Sequence, residues 1–151
     1  MNASYSRFFA MIVTSTLIMF ALMYSTVNVA DHIWWSSTKA FMALYMGATM
    51  AVVMLAFMLN MYTHTKANLA IFGGAVVLFA LGMWLARSQE TVQDVAWMKA
   101  MIPHHSIAIL TSSRADLSDP RVRQLADEII EAQRREIAEM EALIADLEAG
   151  R

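Results

Sequence analysis

The chain contains no cysteine. That excludes disulfides, thiolate metal sites and cysteine nucleophiles together. Proline and glycine are scarce, 2 and 5 in 151 residues, so few points are marked as turns. Charge is low as well, at 16% Asp, Glu, Lys and Arg against about 25% in soluble domains. It is also unevenly placed. Residues 1–88 hold Arg7, Lys39, Lys66 and Arg87 against Asp31, leaving 7 of the 11 basic and 12 of the 13 acidic residues to 89–151. A single soluble core is excluded. The net charge of −2 leaves no basic footprint, so nucleic acid is not an expected partner.

What is abundant is apolar: 58% of the residues, with 14 methionines. Three apolar runs stand out, Phe8 to Val29, Ala40 to Leu59 and Leu69 to Ala86, and none contains Asp, Glu, Lys or Arg. Each is about long enough to cross a ~30 Å hydrocarbon core at 1.5 Å per residue. Only a helix satisfies its own backbone as a single segment in lipid, so three transmembrane helices are expected. The first run is longer than a signal h-region and lacks a small-x-small cleavage site, so it reads as a retained helix. Trp34 and Trp35 in the first link, and Trp84 near the end of the third run, suit membrane–water interfaces. The division expected is a membrane domain, 1–88, with helices near 8–29, 40–59 and 69–86, and a helical hairpin, 89–151.

Beyond Ser88 the pattern becomes amphipathic. Gln89 to Arg114 and Pro120 to Glu148 read as two helices, with Asp119 capping the second and Pro120 at its first position. On the second helix Val122, Leu125, Ala126, Ile129, Gln133, Ile137, Met140, Ile144 and Leu147 share one side, and charges cover the rest. The fold class is therefore all-α: three membrane helices, then an antiparallel hairpin. Two helices cannot cover both their stripes, and a homodimer would complete a four-helix bundle.

Chemistry concentrates in Trp97-Met-Lys-Ala-Met-Ile-Pro-His-His105. At 100° per residue Asp94, Met98, Met101 and His105 fall within about a 60° arc, and His104 lies about 100° away. Pro103 frees the carbonyl of Lys99 and can alter the aim of the two histidines. Gln133, Glu136 and Met140 project from the facing helix. Thioether sulfur with imidazole nitrogen favours a soft ion, Cu(I) first and Ag(I) as its mimic. The plainer reading is core packing for the methionines and a helix kink for the histidines.

The segment Met98-Lys-Ala-Met-Ile-Pro-His-His-Ser-Ile-Ala-Ile109 closely resembles the signature of the domain of unknown function 305 family. So does Val122-Arg-Gln-Leu-Ala-Asp-Glu-Ile-Ile-Glu-Ala-Gln-Arg-Arg-Glu-Ile-Ala-Glu-Met140. The resemblance covers about residues 90–147. It implies a helical, ferritin-like domain, often exported and associated with copper and silver. The implied ligands are Met98, Met101, His104, His105 and Met140, with Asp94, Gln133 and Glu136 supporting them or pairing the helices. Many members carry Met where Leu110 stands, so this chain has one thioether fewer. No enzymatic activity is implied. Ser106, Ser112 and Ser113 lack a nucleophile elbow, and the acidic second helix lacks Glu-x-x-His.

The second run carries Met42, Met46, Met50, Met54 and Met58, one every four residues. Each step rotates by about 40°, a slow spiral that flexible apolar packing explains. A thioether relay for Cu(I) is the sharper alternative. His32 and His64, in the links, read as solvated. The expected function is a membrane-anchored Cu(I)/Ag(I) binding protein for sequestration, buffering or hand-over, not an enzyme. Its expected partners are lipid, a second copy through the hairpin, and a copper donor or acceptor protein. The alternatives are a metal-free oligomerisation module and an oligomeric Cu(I) transporter using the methionines. The expected location is a bacterial inner membrane, N-terminus cytoplasmic and hairpin periplasmic.

Overall fold

A computed structural model describes residues 5–150. Among them are five α-helices and no strand: α1 (Tyr5–Leu22), α2 (Ser37–Phe57), α3 (Thr65–Ser88), α4 (Asp94–Arg114) and α5 (Pro120–Ala149). A single 3₁₀ turn, Ala30–His32, interrupts the connection from α1 to α2. The first three helices are long and apolar enough to cross a membrane. Their lengths differ from the apolar runs. α3 has 24 residues, about 36 Å at 1.5 Å per residue. α1 stops at Leu22 rather than continuing to Val29. Beyond Leu22 the hydroxyl of Tyr24 accepts the Ser36 N–H, and the Asn28 N–H, which a continuing helix would give to the carbonyl four residues back, goes to Ser106 of α4 instead.

The chain forms two compact units, and they do not follow sequence order. The first contains the stretch ending at Met23 together with Thr38–Thr91, hence α1, α2 and α3. Phe8 and Leu55 are fully buried at its centre, with Ile12, Ala51 and Tyr62 around them. At one end the Tyr5 hydroxyl donates to Asn68 Oδ1 at 2.7 Å, and Asn68 Nδ2 donates to the Tyr62 carbonyl at 2.6 Å. Small residues allow close approach, as in membrane helix packing. A Cβ on Gly82 would lie 3.2 Å from the Phe41 carbonyl and from Tyr45, and one on Gly47 would collide with Thr16. α3 ends on Gln89, a non-glycine residue at φ 56°, whose side chain donates to the Ala86 carbonyl and accepts from Thr38 Oγ1.

The second unit joins Tyr24–Ser37 to the residues from Val92 onward. Lys99 pairs with Glu148, His105 lies beside Glu136, and Arg123 donates to the Ser112 carbonyl, a descending register that makes α4 and α5 antiparallel. Asp119 caps α5 by accepting the Arg121 N–H at 2.8 Å, and Pro120 occupies the first helical position. The core consists of Met98, Ile102 and Ile109 from α4 with Ile137, Met140 and Ile144 from α5. Trp34 of the connection packs against it. Val122, Leu125 and Leu147, placed on the buried stripe by periodicity, are instead 46%, 56% and 40% exposed.

Candidate metal centre

α4 continues through Pro103, whose ring is buried although it cannot donate to the Lys99 carbonyl. This unbroken helix sets the aim of each candidate donor. Met98 faces the core and Met140 meets the same cluster from α5; both are buried, among isoleucines. Met101 packs against the cluster while staying half-buried. The three thioethers thus share one cluster.

The histidines diverge. His104 is exposed, whereas His105 is half-buried, and their ring centroids lie 6.1 Å apart at 59°. His105 Nδ1 sits 3.1 Å from Glu136 Oε2, close enough for an ion pair. Even so, the direction fails as a hydrogen bond, and Nδ1 is a buried nitrogen with no hydrogen-bond partner. Burial lowers the His105 pKa; the Glu136 carboxylate opposes that and His104 reinforces it. A neutral ring keeps a lone pair, which is what a metal requires.

The remaining candidates are more dispersed. Asp94 is exposed in the first turn of α4, and Gln133 and Glu136 are half-buried on α5. Among the described residues no group of three His, Cys, Asp or Glu is arranged to hold a metal. The donor set within one chain is therefore thioethers and one imidazole. That set suits a soft ion and offers little to a hard one.

On α2, Met42, Met46, Met50 and Met54 are half-buried, and Met58 lies just past the helix end. Met50, Met54 and Met58 pack on the cluster of Phe8, Leu55 and Tyr62. An apolar groove of about 460 Å³ runs among α1, α2 and α3, lined by residues including Ile12, Thr16, Gly47, Ala51, Ile71 and Gly74. None of the five methionines lines it.

Sequence reasoning missed the wall that the α1–α2 connection supplies. Ser106 is fully buried, accepts the Asn28 N–H at 2.7 Å and lies 2.8 Å from His32 Nδ1. His32 is therefore docked and half-buried rather than solvated. Trp34 lies under the Lys99 ammonium, 5.3 Å from the ring centroid. No periodic pattern marks such a segment. The one available signal was Ser106 itself, a hydroxyl on the line of Met98, Ile102 and Ile109 that needs a partner once buried.

A family model described as Domain of unknown function (DUF305) matches residues 83–145. Its start lies inside α3, seven residues before the stretch that the sequence blocks suggested. The chain is also similar to an uncharacterized protein, L153, of Acanthamoeba polyphaga mimivirus, with 33% identity over 106 residues, 69% of this chain and 68% of the viral protein. No solved structure matches.

Proposed function

The chain belongs to the DUF305 family, and from that premise we propose that it is a membrane-anchored binding protein for Cu(I), with Ag(I) as chemical mimic. The observation that carries this reading is the buried, unpartnered Nδ1 of His105, held neutral beside a cluster containing Met98, Met101 and Met140. A polar nitrogen left without a partner in the interior costs about 1–3 kcal/mol. A soft cation bound there would remove that cost. Met98, Met101, His105 and Met140 are the ligands, with His104, exposed beside them, as a docking donor. Glu136 lies beside the His105 ring, and Gln133 and Asp94 stand further out. Binding is an equilibrium in which the soft donors select the ion, so the protein sequesters, buffers or hands over copper and carries out no bond chemistry.

In this reading the three apolar helices each cross the bilayer, so the α1–α2 connection and the hairpin lie on the same side, a topology that their packing into one unit supports. In this reading the membrane is a bacterial inner membrane, that side is non-cytoplasmic, and a copper donor or acceptor meets the protein there. The methionines of the second apolar run are packing residues, a reading supported by the packing of Met50, Met54 and Met58 on the cluster of Phe8, Leu55 and Tyr62. Transport along them is not part of the proposal.

The test is an anaerobic Cu(I) titration of the full chain against a chromogenic competitor, beside a His104→Ala/His105→Ala variant. Competitive binding in the parent and at least a tenfold loss in the variant is expected. Absence of competition in both would sink the copper reading and leave an anchored helical module. Binding retained in the variant would move the site to the methionines of α2.

A further inference from the structure

The α1–α2 connection has two faces, and the hairpin uses one of them. Asn28 and His32 meet Ser106, Trp34 packs against the hairpin core, and Ser36 is 1% exposed. Between these inward residues stand Val29, Ile33 and Trp35, which are 44%, 54% and 64% exposed. The cause is backbone geometry. Ile33 leaves the 3₁₀ turn in an extended conformation, and no helix resumes until Ser37. Successive side chains of an extended segment point to opposite sides. Trp34 and Ser36 therefore turn inward only by sending Ile33 and Trp35 outward. Composition places both tryptophans of this link at a membrane–water interface. The fold takes Trp34 into the hairpin core and turns Trp35 the other way.

Chain continuity decides what the outer face meets. Both ends of the connection run into helices long and apolar enough to span a bilayer, α1 ending at Leu22 and α2 starting at Ser37. The 18 residues of α1 measure about 27 Å at 1.5 Å per residue, close to the ~30 Å hydrocarbon core. Its end therefore lies near the edge of that core. Two polar contacts mark the same level. Lys39 Nζ donates to the Met23 carbonyl at 3.0 Å, and Thr38 Oγ1 donates to Gln89 Oε1 at 3.3 Å. Trp35 lies two residues outside Ser37 and Ile33 four, at most about 7 Å and about 14 Å of extended chain. The polar layer on each side of the core is about 5–8 Å deep. Trp35 thus stays within or beside that layer, and Ile33 is in reach of it. Asp31 is the one charged residue between 24 and 37, so no cation there selects an anionic headgroup. An apolar ring with a polar N–H suits the interface itself.

We propose that Ile33 and Trp35, with Val29 beyond them, insert into the interfacial layer of the lipid bilayer. One extended segment then holds the hairpin with its inner side chains and lipid with its outer ones. The hairpin is thereby carried at the membrane surface rather than on a loose tether. This anchoring needs α1 and α2 to span the bilayer, as read above, and does not need copper.

The absence of native cysteine allows one nitroxide label per chain. Full-length Ile33→Cys and Trp35→Cys are labelled and reconstituted into phosphatidylcholine nanodiscs. They are compared with Val77→Cys, in the middle of α3 and 64% exposed, and with Glu139→Cys, on the exposed side of α5. Power saturation reads collisions with oxygen, which concentrates in lipid, against those with a water-soluble nickel chelate. Labels at 33 and 35 should favour oxygen, less than at 77 and far more than at 139. Nickel access equal to that at 139 places the face in water and overturns the proposal. Protection from both reagents places it under protein, a second copy included, and overturns it as well. Nickel access at 77 too would defeat the membrane reading itself, a result distinct from failure of the anchor alone. A second arm leaves Ile33 native and needs no label. In a Trp84→Phe/Trp97→Phe background, acyl-brominated phosphatidylcholine should quench Trp35 in the Trp34→Phe variant and spare Trp34 in the Trp35→Phe variant. Equal quenching of the two overturns the two-sided segment.

Discussion

His105 combines two opposing demands in one side chain. Burial favours the neutral ring, Glu136 favours the charged one, and burial wins, so the folded protein holds the His105 pKa below its ordinary value. The unfolded chain, with a histidine near about 6.5, takes the proton first as the pH falls. His105 therefore contributes stability that is fully present above about pH 6.5 and is lost as the pH drops through the lower folded value. Amide exchange along α4 of the metal-free protein, measured from pH 8 to 5, should report progressively weaker protection over that interval. His105→Gln should flatten the trend; an unchanged slope would place the titrating group elsewhere. This residue was legible in the sequence because its neighbours announce it: Met98, Met101 and His105 share an arc. Its orphaned nitrogen was not legible. That depends on where the Glu136 carboxylate comes to rest, 31 residues further on.

Among the elements, the helices follow from pattern and their ends follow from competition. Three uncharged runs and one capped amphipathic helix predict α1, α2, α3 and α5. The start of α5 at Pro120 is exact because Asp119 supplies the capping oxygen. The end of α1 could not be read in this way, since Met23 to Val29 is apolar enough to continue. It is drawn instead into contacts with α4, and Ser106 is the pivot of those contacts. Ser106→Ala should strand the Asn28 N–H and free the His32 ring, at a cost of about 1–3 kcal/mol. Expressed locally, amides of 24–37 should exchange roughly 5- to 150-fold faster while mid-helix amides of α5 keep their protection. Uniformly faster exchange would mean that Ser106 supports the helices themselves rather than the connection.

At the scale of the whole molecule, the chain crosses between its two units three times, at residues 23–24, 37–38 and 91–92. A linear division at residue 88 therefore separates the hairpin from one of its own walls. Composition marks that boundary sharply, because charge begins there, but composition has no way to assign a short connection to a distant partner. Trp34 and Ser36 are the measure of this. Trp34 packs against the hairpin core, and Ser36 is buried with its N–H on the Tyr24 hydroxyl. A fragment of residues 92–151 should consequently expose part of its core and melt early. Joining residues 24–37 to it through a flexible linker should raise the midpoint by several degrees, since a 60- to 75-residue domain shifts by about 4–8 °C per kcal/mol. The gain should depend on the docking contacts. The same fusion carrying Trp34→Ala and Ser106→Ala should melt like the bare fragment. Equal midpoints for bare and fused fragments would show instead that the hairpin is self-sufficient and that the connection rests on it without supporting it.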